Sequence, residues 1–167
     1  MVQQSNVIID PTKESYSFRF SNHDCYKLAT GRCTFELSDE EFGQEKAKCN
    51  SPYMYEASVT YCRELLEMMK VGGSLSATTS TGIRAEIKKC GHIQFNDGQH
   101  RSCIAKKNRL PELYFDKLDD DVGSLCQSCR LEKVEAQRQN RFLDMLKNTR
   151  KHNIEEAIHF YITDEKL

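Results

Sequence analysis

The sequence predicts an α+β protein: a small mixed sheet with helices packed on it and a helical C-terminal appendage. Three patterns lead there. Residues 15–20 alternate Tyr16, Phe18 and Phe20 with Ser17 and Arg19, and residues 83–87 alternate Ile83, Ala85 and Ile87 with Arg84 and Glu86. That period of two buries one face of a strand. Val59, Cys62, Leu65, Leu66 and Met69 recur instead at helical spacing. Residues 131–151 set Leu131, Val134, Phe142, Met145 and Leu146 on one side of a helix, with Arg, Lys and Gln on the other.

Taken in order, residues 1–11 are polar apart from Val7, Ile8 and Ile9, a lead-in to a short strand. After the strand at 15–20, His23, Cys25 and Cys33 lie in a segment carrying Gly31, and Phe35 and Leu37 predict a further short strand. Ser38-Asp39-Glu40-Glu41 is a capping box, in which Ser38 accepts from the third amide of a helix and Glu41 reaches back. The short helix it opens ends at residues 49–52. The amphipathic helix at 56–70 is stopped by Gly72-Gly73. Residues 74–82 are small and hydroxyl-rich, a connector by composition, although Thr78, Thr79, Ser80 and Thr81 could also close over a phosphate.

The strand at 83–87 should pair as a hairpin with Ile93 and Phe95 in 92–96, across residues 88–91. Asp97-Gly98 signals a turn, and a helix follows from Gln99 to Lys106, Lys107 and Asn108. Leu113-Tyr114-Phe115 reads as a returning strand, the acidic run 116–121 as a solvated loop, and 123–129 as a loop holding the one Cys-x-x-Cys. Ile154, Ala157, Ile158 and Tyr161 favour a short closing helix over 154–162 rather than a strand. The chain thus divides into an N-terminal region packed on the core (1–54), a core with the turn (55–118), and a Cys-x-x-Cys loop with C-terminal helices (119–167).

A chain of 167 residues can bury one sizeable core. With 24 basic and 25 acidic residues it is not a broadly basic nucleic-acid-coating protein, though a local basic face is compatible with the count. No apolar run is long enough to span a bilayer and no signal-peptide core opens the chain, so the expectation is a cytoplasmic protein away from membranes. In that compartment the eight cysteines are expected to be free, metal-bound or redox-active rather than disulfide-linked.

The chemistry concentrates in Asp97-Gly98-Gln99-His100-Arg101. A strand, a glycine turn and a helix start leave backbone N–H groups pointing outward beside polar side chains, which describes an anion site, most naturally one for phosphate. The amides of Gly98, Gln99 and His100 would face the anion, with Arg101 a forked donor. His100 could donate or act as acid or base near neutral pH. Asp97 could cap the helix or position Arg101. On spacing alone, a capped helix start whose donors bond only to protein is the more natural reading, since strand–turn–helix joints are common.

Those five residues, followed by the Ala-Lys-Lys of 105–107, resemble the ParB/sulfiredoxin superfamily, whose members carry a Gly-x-His-Arg or Gly-x-Arg-Arg turn opening a helix. The Asp-Gly-Gln-His-Arg form also occurs in proteins of DNA-modification defence systems. The resemblance is consistent over residues 55–118. It implies a ParB/sulfiredoxin-like fold binding a nucleotide such as ATP or CTP with magnesium, through Gly98, Gln99, His100, Arg101 and Lys106. His100, Arg101 and Asp97 would serve any phosphoryl transfer or hydrolysis, and Asp97 and Glu86 are the nearest carboxylates for the metal. Sulfiredoxins place a catalytic Cys where this chain has Gln99, so sulfinic-acid repair is not implied.

Two further features stand apart from the turn. Cys126 and Cys129 have the spacing of a zinc half-site, the remaining ligands to come from Cys90, His92 and Cys103 or from His23, Cys25, Cys33 and Cys49. A redox dithiol or unpaired thiols are the alternatives; Cys62 and Cys103 read as core. The helix at 131–151, with Arg130, Lys133, Arg138, Arg141, Lys147, Arg150 and Lys151 interleaved with acids, reads as a solvated face. Its alternative is a regulatory surface for a protein partner or for DNA without sequence specificity, since no helix-turn-helix accompanies it.

Overall fold

The structure, a computed structural model, describes residues 3–48, 57–71, 82–144 and 160–163. It is mixed α+β, as the alternation and helical spacing predict. The strands are β1 (Gln3–Ile9), β2 (Tyr16–Phe20), β3 (Arg84–Lys88), β4 (Ile93–Asp97), β5 (Leu113–Asp121) and β6 (Phe160–Thr163). The α-helices are α1 (Tyr26–Thr30), α2 (Asp39–Lys48), α3 (Tyr61–Val71), α4 (Gln99–Lys107) and α5 (Gln127–Asp144), with a 3₁₀ turn at Thr34–Glu36. One six-stranded sheet runs in the order β1-β5-β3-β4-β2-β6, so strands from all three predicted stretches share it.

The pairings explain the sheet's mixed character. β3 and β4 form the predicted antiparallel hairpin, with Ile87 opposite Ile93 and Ala85 opposite Phe95. β3 also lies parallel to β5, and β4 parallel to β2. β1 and β6 pair antiparallel at the two edges. Tyr16, Phe18 and Phe20 of β2, Ala85, Ile93, Leu113, Phe115 and Leu118 point to one face, where Leu65, Leu66 and Met69 of α3 and Ile104 and Ala105 of α4 complete the core. Each large side chain buried there contributes about 1.5–3 kcal/mol over its exposed state. The opposite face is polar and meets the start of α5: the Ser17 and Ser128 hydroxyls bond at 2.7 Å, and the Gln127 amide donates to Gln94 Oε1 at 2.8 Å.

Three expectations are corrected and one short helix is added. The acidic run 116–121 is strand, not solvated loop: it extends β5, because Leu118 is buried and neighbours on both sides supply ladder bonds that outweigh the poor strand propensity of Asp. Phe35 and Leu37 flank a 3₁₀ turn rather than forming a strand. Residues 26–30 form an unforeseen short helix, ended by Gly31 at φ +87°. Residues 160–163 are strand where a helix is favoured by spacing, and β6 pairing with β2 decides it, so the C-terminal appendage is not wholly helical. The connector at 74–81 and the start of the expected closing helix lie outside the described residues.

Candidate functional site

Gly98 makes the central turn possible. Its φ of +87° is left-handed, and a Cβ there would lie 2.6 Å from Ile83 Cγ1, so strand and helix meet closely only because the side chain is absent. The first amides of α4 have no intrahelical acceptor, as at any helix start, and Gly98 provides no side-chain cap for them. Beside this helix start lies an open cleft of about 320 Å³ lined by Arg19, Tyr61, Leu65, residues 95–97 and residues 98–101.

Arg101 is the unusual member of the lining. Its side chain is only 5% exposed, and among the described residues its ion-pair partner, Asp97 Oδ1, is 3.8 Å from Nη2. Among the described residues Nη1 has no hydrogen-bond partner. Burial depresses the pKa of this guanidinium, opposed by the charges of Asp97 and Asp116 and by Tyr61. A desolvated cation with weak compensation is what a bound anion would complete. His100 is wedged between Phe20, at 4.6 Å between centroids, and Tyr61, at 5.1 Å. Gln99 Oε1 accepts from the Arg19 amide at 3.0 Å, tying the helix start to β2.

Two expected participants are elsewhere. Lys106 is not among the lining residues: it donates to the Glu14 carbonyl and stands 5.3 Å over the Tyr16 ring. Glu86 is taken by Lys88 on the opposite face of the sheet. The alternation of β3 makes this unavoidable, since Ala85 and Ile87 face the core and their neighbours cannot. Of the carboxylates considered for magnesium, Asp97 alone lines the cleft.

The second site lies on that polar face. Cys90, His92, Cys126 and Cys129 bring one ligand atom each within 4.8 Å of all the others, an arrangement that could hold a metal ion such as zinc. His92 Nδ1 is 3.3 Å from Cys90 Sγ, 3.6 Å from Cys126 Sγ and 3.4 Å from Cys129 Sγ. Period-two alternation sends Ile93 and Phe95 to the core and His92 and Gln94 toward α5, whose first turn carries Cys129. Gly91, at φ +80°, turns the chain between Cys90 and His92. Lys88 bridges Glu86 to Asp121, at 2.8 Å, and the Lys89 amide donates to the Ser124 carbonyl at 2.8 Å, so the hairpin is held to the end of β5 and the loop before α5 independently of the four ligands.

Burial raises the Cys90 pKa, but hydrogen bonds from the Cys126 and His92 amides outweigh it and leave the thiol at about 6. Burial and the neighbouring sulfurs push Cys129 up to about 12. Cys103 is not part of the cluster; it packs against the core, where burial pushes its thiol up to about 12. Cys90 and His92 stand among the sequence candidates for zinc, but only the fold selects them over Cys103, His23, Cys25 and Cys33. Cys49 lies outside the described residues.

Compared with protein-family models, with curated proteins and with solved structures, the chain finds no match. Among the described residues, no helix is long and apolar enough to cross a membrane. On α5, Arg130 and Lys133 are exposed, and so are Leu131 and Val134 of the expected apolar side; the side chains from Arg138 onward lie outside the described residues.

Proposed function

We propose that the protein binds a phosphate-bearing ligand, a nucleotide such as ATP or CTP, in the cleft before α4, in the manner of a ParB/sulfiredoxin-like module. The observation that carries this is Arg101: a side chain nine-tenths buried, lining an open cleft, with Nη1 lacking a partner among the described residues. A phosphate oxygen would take a donor of that guanidinium and the first amides of α4. Arg19 adds a second cation at the rim, and Tyr61 and Phe95 supply ring faces beside it. With Asp97 the one lining carboxylate of the pair considered for magnesium, binding is better supported than phosphoryl transfer.

The test is a thermal-shift panel of ATP, ADP, CTP and inorganic phosphate, with and without magnesium. A ligand at a hundred times its Kd stabilises by about 2.7 kcal/mol, which for a chain of this size raises Tm by roughly 5–10 °C. Arg101→Ala should remove the shift. Because Arg101 is buried and its loss could disturb folding, Arg19→Ala at the exposed rim should weaken the same shift in a folded protein. A flat response to the whole panel rejects the proposal.

A further inference from the structure

We infer that Cys90, His92, Cys126 and Cys129 bind one zinc ion as a closed, structural Cys₃His centre that staples the β3–β4 hairpin to the start of α5. The distances carry the inference. A tetrahedral ion with Zn–S near 2.3 Å and Zn–N near 2.0–2.1 Å separates its sulfur and nitrogen ligands by about 3.6 Å. The three sulfur-to-Nδ1 distances are 3.3, 3.6 and 3.4 Å. All three cysteines are free thiols rather than members of a disulfide.

The surroundings fit the same assignment. The Cys126 amide donates to Cys90 Sγ and the Cys129 amide to Cys126 Sγ, each at 3.4 Å, the outer hydrogen bonds that orient thiolate ligands. Soft thiolates with one imidazole in a tetrahedral set select zinc over the oxygen-seeking divalent cations. Four protein ligands leave no open position for water or substrate, so the centre is structural rather than hydrolytic. A redox dithiol needs only Cys126 and Cys129, and leaves the convergence of Cys90 and His92 on the same point without a purpose. Binding displaces the thiol protons of the three cysteines and adds its free energy to folding.

The centre is independent of the anion cleft. β4 separates them, with His92 just before its first residue and Asp97 at its last. The test uses the full chain purified without chelator. Elemental analysis should return about one zinc per chain, as expected for a closed four-ligand site. After stripping, cobalt(II) should bind to saturation with the intense ligand-field bands of a tetrahedral site and thiolate-to-metal charge transfer. Cys90→Ser and Cys126→Ser should lose or weaken these bands, and Cys103→Ala should keep them. Where a serine variant fails to fold, His92→Cys should keep the stoichiometry and shift the spectrum to that of four sulfurs. Absence of both zinc and a cobalt spectrum from the wild-type chain overturns the assignment. So does a reversible Cys126–Cys129 disulfide in a chain that takes up no metal.

Discussion

Arg101 and Gly98 show how much one position can carry. Arg101 is buried with its ion-pair partner among the described residues at 3.8 Å, and Gly98 is the residue whose missing Cβ lets α4 start against Ile83. Gly98→Ala forces an L-residue into the left-handed region, costing about 1–2 kcal/mol, and overpacking against Ile83 adds about 1–3 kcal/mol. Urea denaturation should show that loss, and a variant within ~0.5 kcal/mol of wild type would mean the turn relaxes. The glycine and the arginine are legible in the sequence. That Nη1 lacks a partner among the described residues is not, because it depends on what packs around the guanidinium.

Among the elements, α2 is the one whose start is written most completely in its local sequence. The Ser38 amide donates to Glu41 Oε2 at 2.8 Å and the Glu41 amide to Ser38 Oγ at 3.2 Å, the reciprocal pair the capping box predicts. Hydrogen bonding from Arg32, then from the Ser38 amide, holds the Glu41 carboxyl at about 2 in place of 4.5. A depressed folded pKa gives stability that is present above pH 4.5 and lost as pH falls toward 2. Glu41→Gln should therefore be less stable than wild type at pH 6, with the gap closing between pH 4.5 and 2 in parallel denaturation series. A gap independent of pH removes the ion-pair account. β5 is the opposite case: its acidic second half is strand only because β1 and β3 lie on either side.

For the whole molecule, the sheet separates two chemistries. The apolar face carries α3, α4 and the core; the polar face carries α5 and the Cys/His cluster. The contact between sheet and α5 includes the buried Ser17–Ser128 hydroxyl pair. Ser17→Ala alone leaves a buried hydroxyl unmatched and should cost about 1–3 kcal/mol. The double variant with Ser128→Ala should cost less than the two singles added, in a double-mutant cycle read by chemical denaturation. Strict additivity would mean that the two hydroxyls act separately.

What the sequence determined by itself is local: the β3–β4 hairpin from its alternation, the glycine turn, the capping box of α2, and the amphipathic α3. Each rests on backbone preferences and side-chain periods within about one element's length. The tertiary structure decided what joins distant segments: the parallel pairings of β2 with β4 and β3 with β5, the strand character of residues 116–121 and 160–163, and the choice of Cys90 and His92 as companions of Cys126 and Cys129. The physical reason is that a ligand set and a ladder partner are properties of distance in space. Residues 92 and 126 become neighbours only once the sheet turns its polar face toward the start of α5.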